Sequence, residues 1–324
     1  MPALVAPGSS ALSCPPAAPV HDWMPSSPCG PRCVDVSATA GTVRATARVL
    51  GVVALLASFP AVNLATPRGR RTRLHRRYAR AALHCCGIRL RIIDEREPAR
   101  PDTDGADGAP PRAAGEGLLV VAGHVGWTDV LALAAVQPMG FVARGDLIDW
   151  PVLGALARLM RVIPIDRERL RQLPEVVATM SARLAAGERV GLFPEGTTWC
   201  GRAHGRLRPA LFQAAVDTAT PVQPIRVRYL DRDGELSTVP GFVGLDTFAD
   251  SARRVLRSKG VVAEVVLLPI EGPGPDRHDL ARRCERAIRG AEVVDIDAHA
   301  TAVGTGPTRA IVPDAIVEPA VTAS

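Results

Sequence analysis

A histidine and an aspartate five positions apart, His124 and Asp129 in LLVVAGHVGWTD, have the residue types and spacing to do chemistry. An imidazole whose Nδ1 proton is held by a carboxylate keeps Nε2 free to take a proton from a hydroxyl, which makes the pair a general base for an alcohol. On one continuous helix five residues rotate two side chains apart by roughly 140°, so they meet only if His124 lies on a loop and Asp129 on the first helical turn. The bland alternative is a structural histidine satisfied by the same carboxylate.

The flanking elements provide that loop and turn. Leu118 to Ala122 is an unbroken apolar run bounded by Gly117 and Gly123, the pattern of a fully buried strand of a parallel sheet. From Trp127 to Gln137 the period turns helical, with Thr128 as candidate cap and Val130, Leu131, Ala134 and Ala135 on one face. His124 is therefore expected at the carboxyl end of a strand, where open α/β sheets bind ligands.

The remaining elements alternate in the same way. Strands are expected at Leu118 to Ala122, Gly140 to Ala143, Val162 to Ile165, Val190 to Phe193, Val222 to Tyr229 and Val261 to Leu267. Helices are expected at Trp127 to Gln137, Pro151 to Met160, Pro174 to Ala186, Arg208 to Ala219 and Asp276 to Arg289. This alternation predicts an α/β domain over 118–290, a mostly parallel central sheet flanked by helices. Residues 1–43, rich in Pro, Ser, Ala and Gly, read as a disordered leader, 94–117 as a linker or surface loop, and 291–324 as a flexible tail.

The 324 residues carry a net charge of +6 that is unevenly spread. Eleven arginines and no acidic side chain lie between Asp35 and Asp94, while the rest of the chain holds 28 basic against 33 acidic residues. Val49 to Ala65 has no charge and reaches about 25 Å, slightly short of the roughly 30 Å hydrocarbon core of a bilayer, with Pro60 expected to kink it. Arg68, Arg70, Arg71, Arg73, Arg76, Arg77 and Arg80 follow, interleaved with apolar residues. Residues 44–93 thus read as a membrane-anchoring apolar helix and a basic amphipathic segment on an anionic membrane surface, a spanning or re-entrant anchor with a buried core helix as the alternative. The positive-inside rule puts the catalytic domain on the cytoplasmic side of the cell membrane. Without stacking aromatics or a binding motif, nucleic acid is not an expected partner. Seven cysteines at irregular spacing, with no CxxC pair and partner histidines, support neither a zinc site nor a disulfide framework, so no metal is expected. There is no Walker A loop, GxSxG elbow or HExxH.

Three more stretches fall at expected strand ends. GFVARGDL sets Arg144 after a short apolar strand; LFPEGTTW sets Glu195, Gly196 and Thr197 after another; TPVQPIRV opens a third with Pro221 and Pro224. Together with His124 and Asp129, these stretches resemble the motifs of the glycerolipid acyltransferase family, which includes bacterial 1-acylglycerol-3-phosphate (lysophosphatidate) acyltransferases. The resemblance covers roughly Leu118 to Tyr229. It implies an α/β acyltransferase fold, acyl-CoA or acyl carrier protein as co-substrate with no cofactor, and a lyso-lipid acceptor with a free hydroxyl. 1-Acylglycerol-3-phosphate leads, with phosphatidic acid as its product; a lyso-ornithine lipid, another lysophospholipid, or hydrolysis of a lipid or thioester are the alternatives. It implies His124 as base and Asp129 as its partner, with Arg144, Glu195, Gly196 and Thr197 on the acceptor's head group. Two departures bear on the acceptor: Gly123 stands where many members have asparagine, and Thr198 where many lysophosphatidate enzymes have arginine. Apart from the resemblance, arginine's fork suits a phosphate, and Gly196 lets backbone N–H groups approach an anion.

Overall fold

The structure, a computed structural model, describes residues 25–35, 39–96, 116–146, 151–166 and 169–290. Two helices come first, α1 (Thr42–Ala65) and α2 (Arg71–Cys85). After them come strand β1 (Arg89–Asp94), β2 (Leu118–Ala122), α3 (Trp127–Val136), β3 (Gly140–Arg144), α4 (Pro151–Leu159) and β4 (Ile163–Ile165). The chain continues through α5 (Leu173–Ala185), β5 (Arg189–Leu192), α6 (Gln213–Asp217), β6 (Val222–Leu230), α7 (Phe248–Arg257), β7 (Val262–Leu267) and α8 (Arg277–Arg289). The strands form one seven-stranded sheet in the order β1-β7-β6-β2-β5-β3-β4, parallel at every pairing except β6 with β7.

β2 runs through the middle of this sheet, all five residues buried, because its alternate side chains feed opposite layers. Leu118, Val120 and Ala122 pack with α2, α3 and α7 residues such as Leu83, Leu133 and Val255. Leu119 and Val121 pack with Val176, Met180 and Leu184 of α5 and Leu280 and Ile288 of α8. The sheet is thus covered on both faces, which holds the turn after β2 between two rigid layers.

Several expectations change. The sheet begins at Arg89 rather than Leu118. β1 carries two arginines among its apolar residues and sits at the edge beside β7, where Arg91 and Arg228 pair with the buried Glu264. α7 is also additional: only Ser251 and Val255 are buried in it, too few apolar residues to signal a helix, and the Thr247 side chain caps it by accepting from the Asp250 N–H. The helix expected at Arg208 to Ala219 shortens to α6, preceded by a 3-10 turn at Ala210–Phe212 that follows Pro209. Of the expected leader, residues 25–35 are ordered, with Cys29 and Cys33 buried against Trp199, Cys200, Ala203 and Val243. Residues 1–24, most of the expected linker (97–115) and the expected tail (291–324) lie outside the described residues.

The helix over the apolar run starts earlier than expected, at Thr42, and continues through Pro60. α1 is long and apolar enough to cross a membrane by length and composition, yet it is docked on the domain along one face. Near its start Arg48 donates to the Leu256 and Ser258 carbonyls; near its end Phe59 packs on Tyr78 and Asn63 meets His75 of α2. The other face leaves Val43, Leu50, Val53 and Leu64 exposed. α2 in turn lays Ala79 and Leu83 into the core beside α3 and keeps Arg73, Arg77 and Arg80 at the surface.

Candidate active site

The turn after β2 carries His124, and Asp129 is the third residue of α3, so the two side chains meet as the loop-and-first-turn geometry requires. His124 Nδ1 lies 2.9 Å from Asp129 Oδ2. That same oxygen accepts the backbone N–H groups of Val125 at 2.7 Å and Gly126 at 2.9 Å. Asp129 therefore closes the amino end of α3 and orients the imidazole with one atom, and its negative charge suits the helix N-terminus. Thr128, expected as the cap, is instead inside α3 and fully buried. Its hydroxyl donates to Tyr229 Oη at 2.7 Å, and the Tyr229 hydroxyl donates to Asp129 Oδ1 at 2.7 Å. Burial, and after it the Asp129 charge, hold the Tyr229 phenol well above its ordinary range, so it stays a donor.

The ring itself is clamped by stacking. His124 lies on Phe193 with centroids 4.0 Å apart and planes 12° apart, and Phe193 is backed by Phe141 at 5.8 Å. The Asp129 side chain is fully buried while that of His124 is 15% exposed. Nδ1 is committed to the carboxylate, so Nε2 is the ring nitrogen left for a substrate hydroxyl.

Glu195, expected on the acceptor's head group, lies beside this pair with both oxygens engaged by the protein. Its Oε2 accepts the His124 backbone N–H at 2.8 Å, and its Oε1 accepts Arg289 Nη2 at 2.7 Å and the Gly205 N–H at 3.3 Å. Burial pushes its carboxyl up to about 7, against the pull of Arg289 and of the two N–H donors. These hydrogen bonds tie the His124 turn to Arg289 through Glu195. The turn is gripped further by the Trp199 N–H on the His124 carbonyl and the Phe242 N–H on the Val125 carbonyl, at 2.8 and 2.9 Å. Gly126 must lack a side chain because a Cβ there would come within 2.4 Å of the Pro240 carbonyl. Gly196 has φ +76 and a Cβ there would run into Pro25, so the FPEGT loop requires glycine beneath the ordered N-terminal segment. Thr197 follows, half-buried, and Thr198 donates its hydroxyl to the Phe242 carbonyl.

Arg144 ends β3, two strands from β2 on the same side, so about 10 Å of backbone separates it from the His124 turn. Its guanidinium is exposed and paired with exposed Asp146 at 2.7 Å. Pro221 immediately precedes β6 and Pro224 lies in its amino half, level with Val121 rather than with His124; what β6 gives the site is Tyr229. A cleft lined by Thr72, His75, Leu118, Gly140 and Arg189 opens at the amino ends of β2, β3 and β5, away from His124. Sequence reasoning missed Tyr229, Phe193 and Arg289, whose only signals were an aromatic late in a strand, the aromatic before the PEG turn and one more arginine on a basic helix.

A mostly parallel sheet covered by helices, with a carboxylate-held histidine at the carboxyl end of a central strand, defines the α/β class of fold. A family model described as Acyltransferase matches residues 100–228. The chain is 31% identical over 185 residues, 56% of its length and 71% of the relative's, to the 1-acyl-sn-glycerol-3-phosphate acyltransferase of Neisseria gonorrhoeae. It is 30% identical over 254 residues, 75% of its length and 90% of the relative's, to the lyso-ornithine lipid O-acyltransferase of Pseudomonas aeruginosa PAO1. The crystal structure of the 1-acyl-sn-glycerophosphate acyltransferase PlsC from Thermotoga maritima matches the fold with a TM-score of 0.56 at 14% identity, over 76% of this chain and 92% of that one. The chain is an acyltransferase, and it belongs to the glycerolipid acyltransferase family.

Proposed function

We propose that the protein transfers a fatty acyl group from acyl-CoA or acyl carrier protein to the free hydroxyl of 1-acylglycerol-3-phosphate, giving phosphatidic acid. The observation that carries the reading is His124, bound to Asp129 at 2.9 Å through Nδ1 with Nε2 left over. In this reading Nε2 takes the hydroxyl proton as the oxygen attacks the thioester carbonyl. The tetrahedral intermediate then collapses and expels the thiolate, which leaves with the proton from the imidazolium. The buried carboxylate favours that imidazolium and fixes the ring plane. Arg144 supports a phosphate-bearing acceptor: its side chain and the ligand together span the roughly 10 Å to the His124 turn.

A second acceptor, a lyso-ornithine lipid, is favoured by Thr198. It stands where a cation is common in lysophosphatidate enzymes, and its hydroxyl is engaged with the Phe242 carbonyl. The relative named for that lipid is also matched over 90% of its length.

α1 supports membrane association from the side of the bilayer. It is pinned to the domain near both ends while Leu50, Val53 and Leu64 face outward, flanked by the exposed arginines of α2. That pattern suits a helix sunk into the interface of an anionic leaflet on the cytoplasmic side, delivering the membrane-dissolved acceptor to the domain.

The test is acyl transfer by the purified protein with labelled acyl-CoA or acyl carrier protein and a panel of lyso-lipids. Phosphatidic acid is the expected product. Arg144→Ala should raise the apparent KM for 1-acylglycerol-3-phosphate by about tenfold, in keeping with loss of one charged hydrogen bond, with little change for the acyl donor. Transfer to lyso-ornithine lipid alone, or equal losses for phosphate-bearing and phosphate-free acceptors, would replace the phosphatidic acid assignment. Hydrolysis of the donor without transfer to any acceptor would remove the transferase reading itself.

A further inference from the structure

The fold gathers three cysteines that the chemistry above does not use. Cys29, Cys33 and Cys200 are all buried, and their sulfurs lie within 4.8 Å of one another. Cys29 and Cys33 sit on one turn, closed by the Cys33 N–H on the Gly30 carbonyl at 2.9 Å. Cys200 arrives 171 residues after Cys29, from the loop that follows the FPEGT motif. We propose that these three thiols bind one zinc ion as thiolates, bracing the N-terminal segment against the active-site loop.

The geometry and the donor set both point this way. Thiolates about 2.3 Å from a tetrahedral zinc lie about 3.8 Å from one another, which fits the observed cluster. Three soft sulfurs select zinc over the oxygen-loving divalent ions. A disulfide would consume two of the three and strand the other in the protein interior. Two backbone donors already face the sulfurs, the Gly30 N–H toward Cys33 Sγ and the Cys200 N–H toward Cys29 Sγ, each at 3.4 Å. Such outer contacts orient metal-bound thiolates and spread their charge. On binding, each thiol releases its proton to solvent, so the site takes up zinc and gives up three protons. The proposal needs only the three sulfurs.

The consequence is mechanical. Cys200 adjoins Trp199, whose N–H holds the His124 carbonyl, and Pro25 lies over Gly196. Asp35 pairs with Arg202 on the same loop and takes the Thr238 hydroxyl oxygen with its N–H at 2.8 Å. A zinc at this point ties residues 25–35 to the loop that positions the catalytic histidine.

The test is metal analysis of the full chain, expressed with zinc supplied and purified in detergent without chelator. One zinc per chain is expected, falling to background in Cys29→Ser, Cys33→Ser and Cys200→Ser and unchanged in Cys85→Ser, whose thiol stands apart from the cluster. Cobalt in place of zinc should give the absorption of tetrahedral thiolate-bound Co(II). A measurement without variants guards against misfolding: alkylation followed by peptide mapping should find Cys29, Cys33 and Cys200 protected until a chelator is added. No bound metal, an intact mass two hydrogens lower from a disulfide, or zinc that persists in all three variants would overturn the proposal.

Discussion

Replacing Asp129 by asparagine separates the two things its carboxylate does. Oδ2 accepts from His124 Nδ1, Val125 N–H and Gly126 N–H, and Oδ1 from the Tyr229 hydroxyl. In Asp129→Asn the amide oxygen must take the Oδ2 place, because an amino group there would face two backbone N–H donors. The oxygen still accepts from Nδ1, so the ring keeps its tautomer and plane; what disappears is the charge beside the imidazolium. Two unit charges about 4 Å apart in an effective dielectric near 20 interact by about 4 kcal/mol. At about 1.4 kcal/mol per decade the rate should fall on the order of 1,000-fold. The carboxylate is fully buried and out of a substrate's reach, so the loss should fall on kcat with KM nearly unchanged. Initial rates with labelled acyl donor at saturating acceptor, alongside a thermal melt, make the measurement. A folded variant within tenfold of the wild-type kcat would show that His124 does not work as a base backed by charge. His124→Ala, which should lose about 100 to 10,000-fold, sets the floor.

Tyr229→Phe removes the donor to Oδ1, a hydrogen bond to a charged group, together with the acceptor of the buried Thr128 hydroxyl, and should cost at least about 1.5 to 3 kcal/mol of stability. Its kcat should fall far less than that of Asp129→Asn; matching losses would make Tyr229 part of the proton-transfer step. Glu195→Gln should leave the His124 N–H an acceptor but weaken the tie to Arg289. With the Glu195 carboxyl raised from 4.5 to about 7 in the fold, the stability it contributes is complete below pH 4.5 and lost as pH rises through 7. The melting-temperature lead of the wild type over Glu195→Gln should therefore narrow between those values; a widening lead would mean that Arg289, not burial, governs this carboxyl. Leu50→Glu with Val53→Glu should shift the protein from anionic vesicles to the supernatant while leaving detergent-assayed turnover intact, since both side chains point away from the domain. Unchanged vesicle binding would assign the outer face of α1 another partner.

The sequence made the central turn readable because local rules agree there. A five-residue apolar run cannot be solvated, a helix must start where the period changes, and a carboxylate on the first turn has orphan N–H groups to satisfy. What stayed hidden depends on pairing across the sheet. β1 reads as a charged stretch until Glu264 of β7 arrives to neutralise Arg91. α7 buries two residues and so leaves almost no apolar period. Tyr229 lies 100 residues from Asp129 and becomes its partner only because β6 runs parallel beside β2. The cysteines show the same limit from the other side: their spacing argued against a cluster, yet a 171-residue separation is no obstacle once the loop after β5 folds back over residues 25–35.

The acid of the FPEGT stretch is a further case in which residue type was legible and role was not. An acid beside a glycine turn suggests a ligand contact, and only the position of α8 reveals its partner within the protein. Arg289 comes in buried, its side chain 5% exposed, between two carboxylates, Glu285 of its own helix and Glu195. Glu195 gives it one oxygen and offers the other to the His124 N–H. A glutamine there would accept the same N–H but bring no charge, and an aspartate, one methylene shorter, would not reach both. The acid is thus fixed by two partners on different elements, α8 and the β2 turn. Through it the packing of α8 on the sheet sets where the His124 imidazole stands.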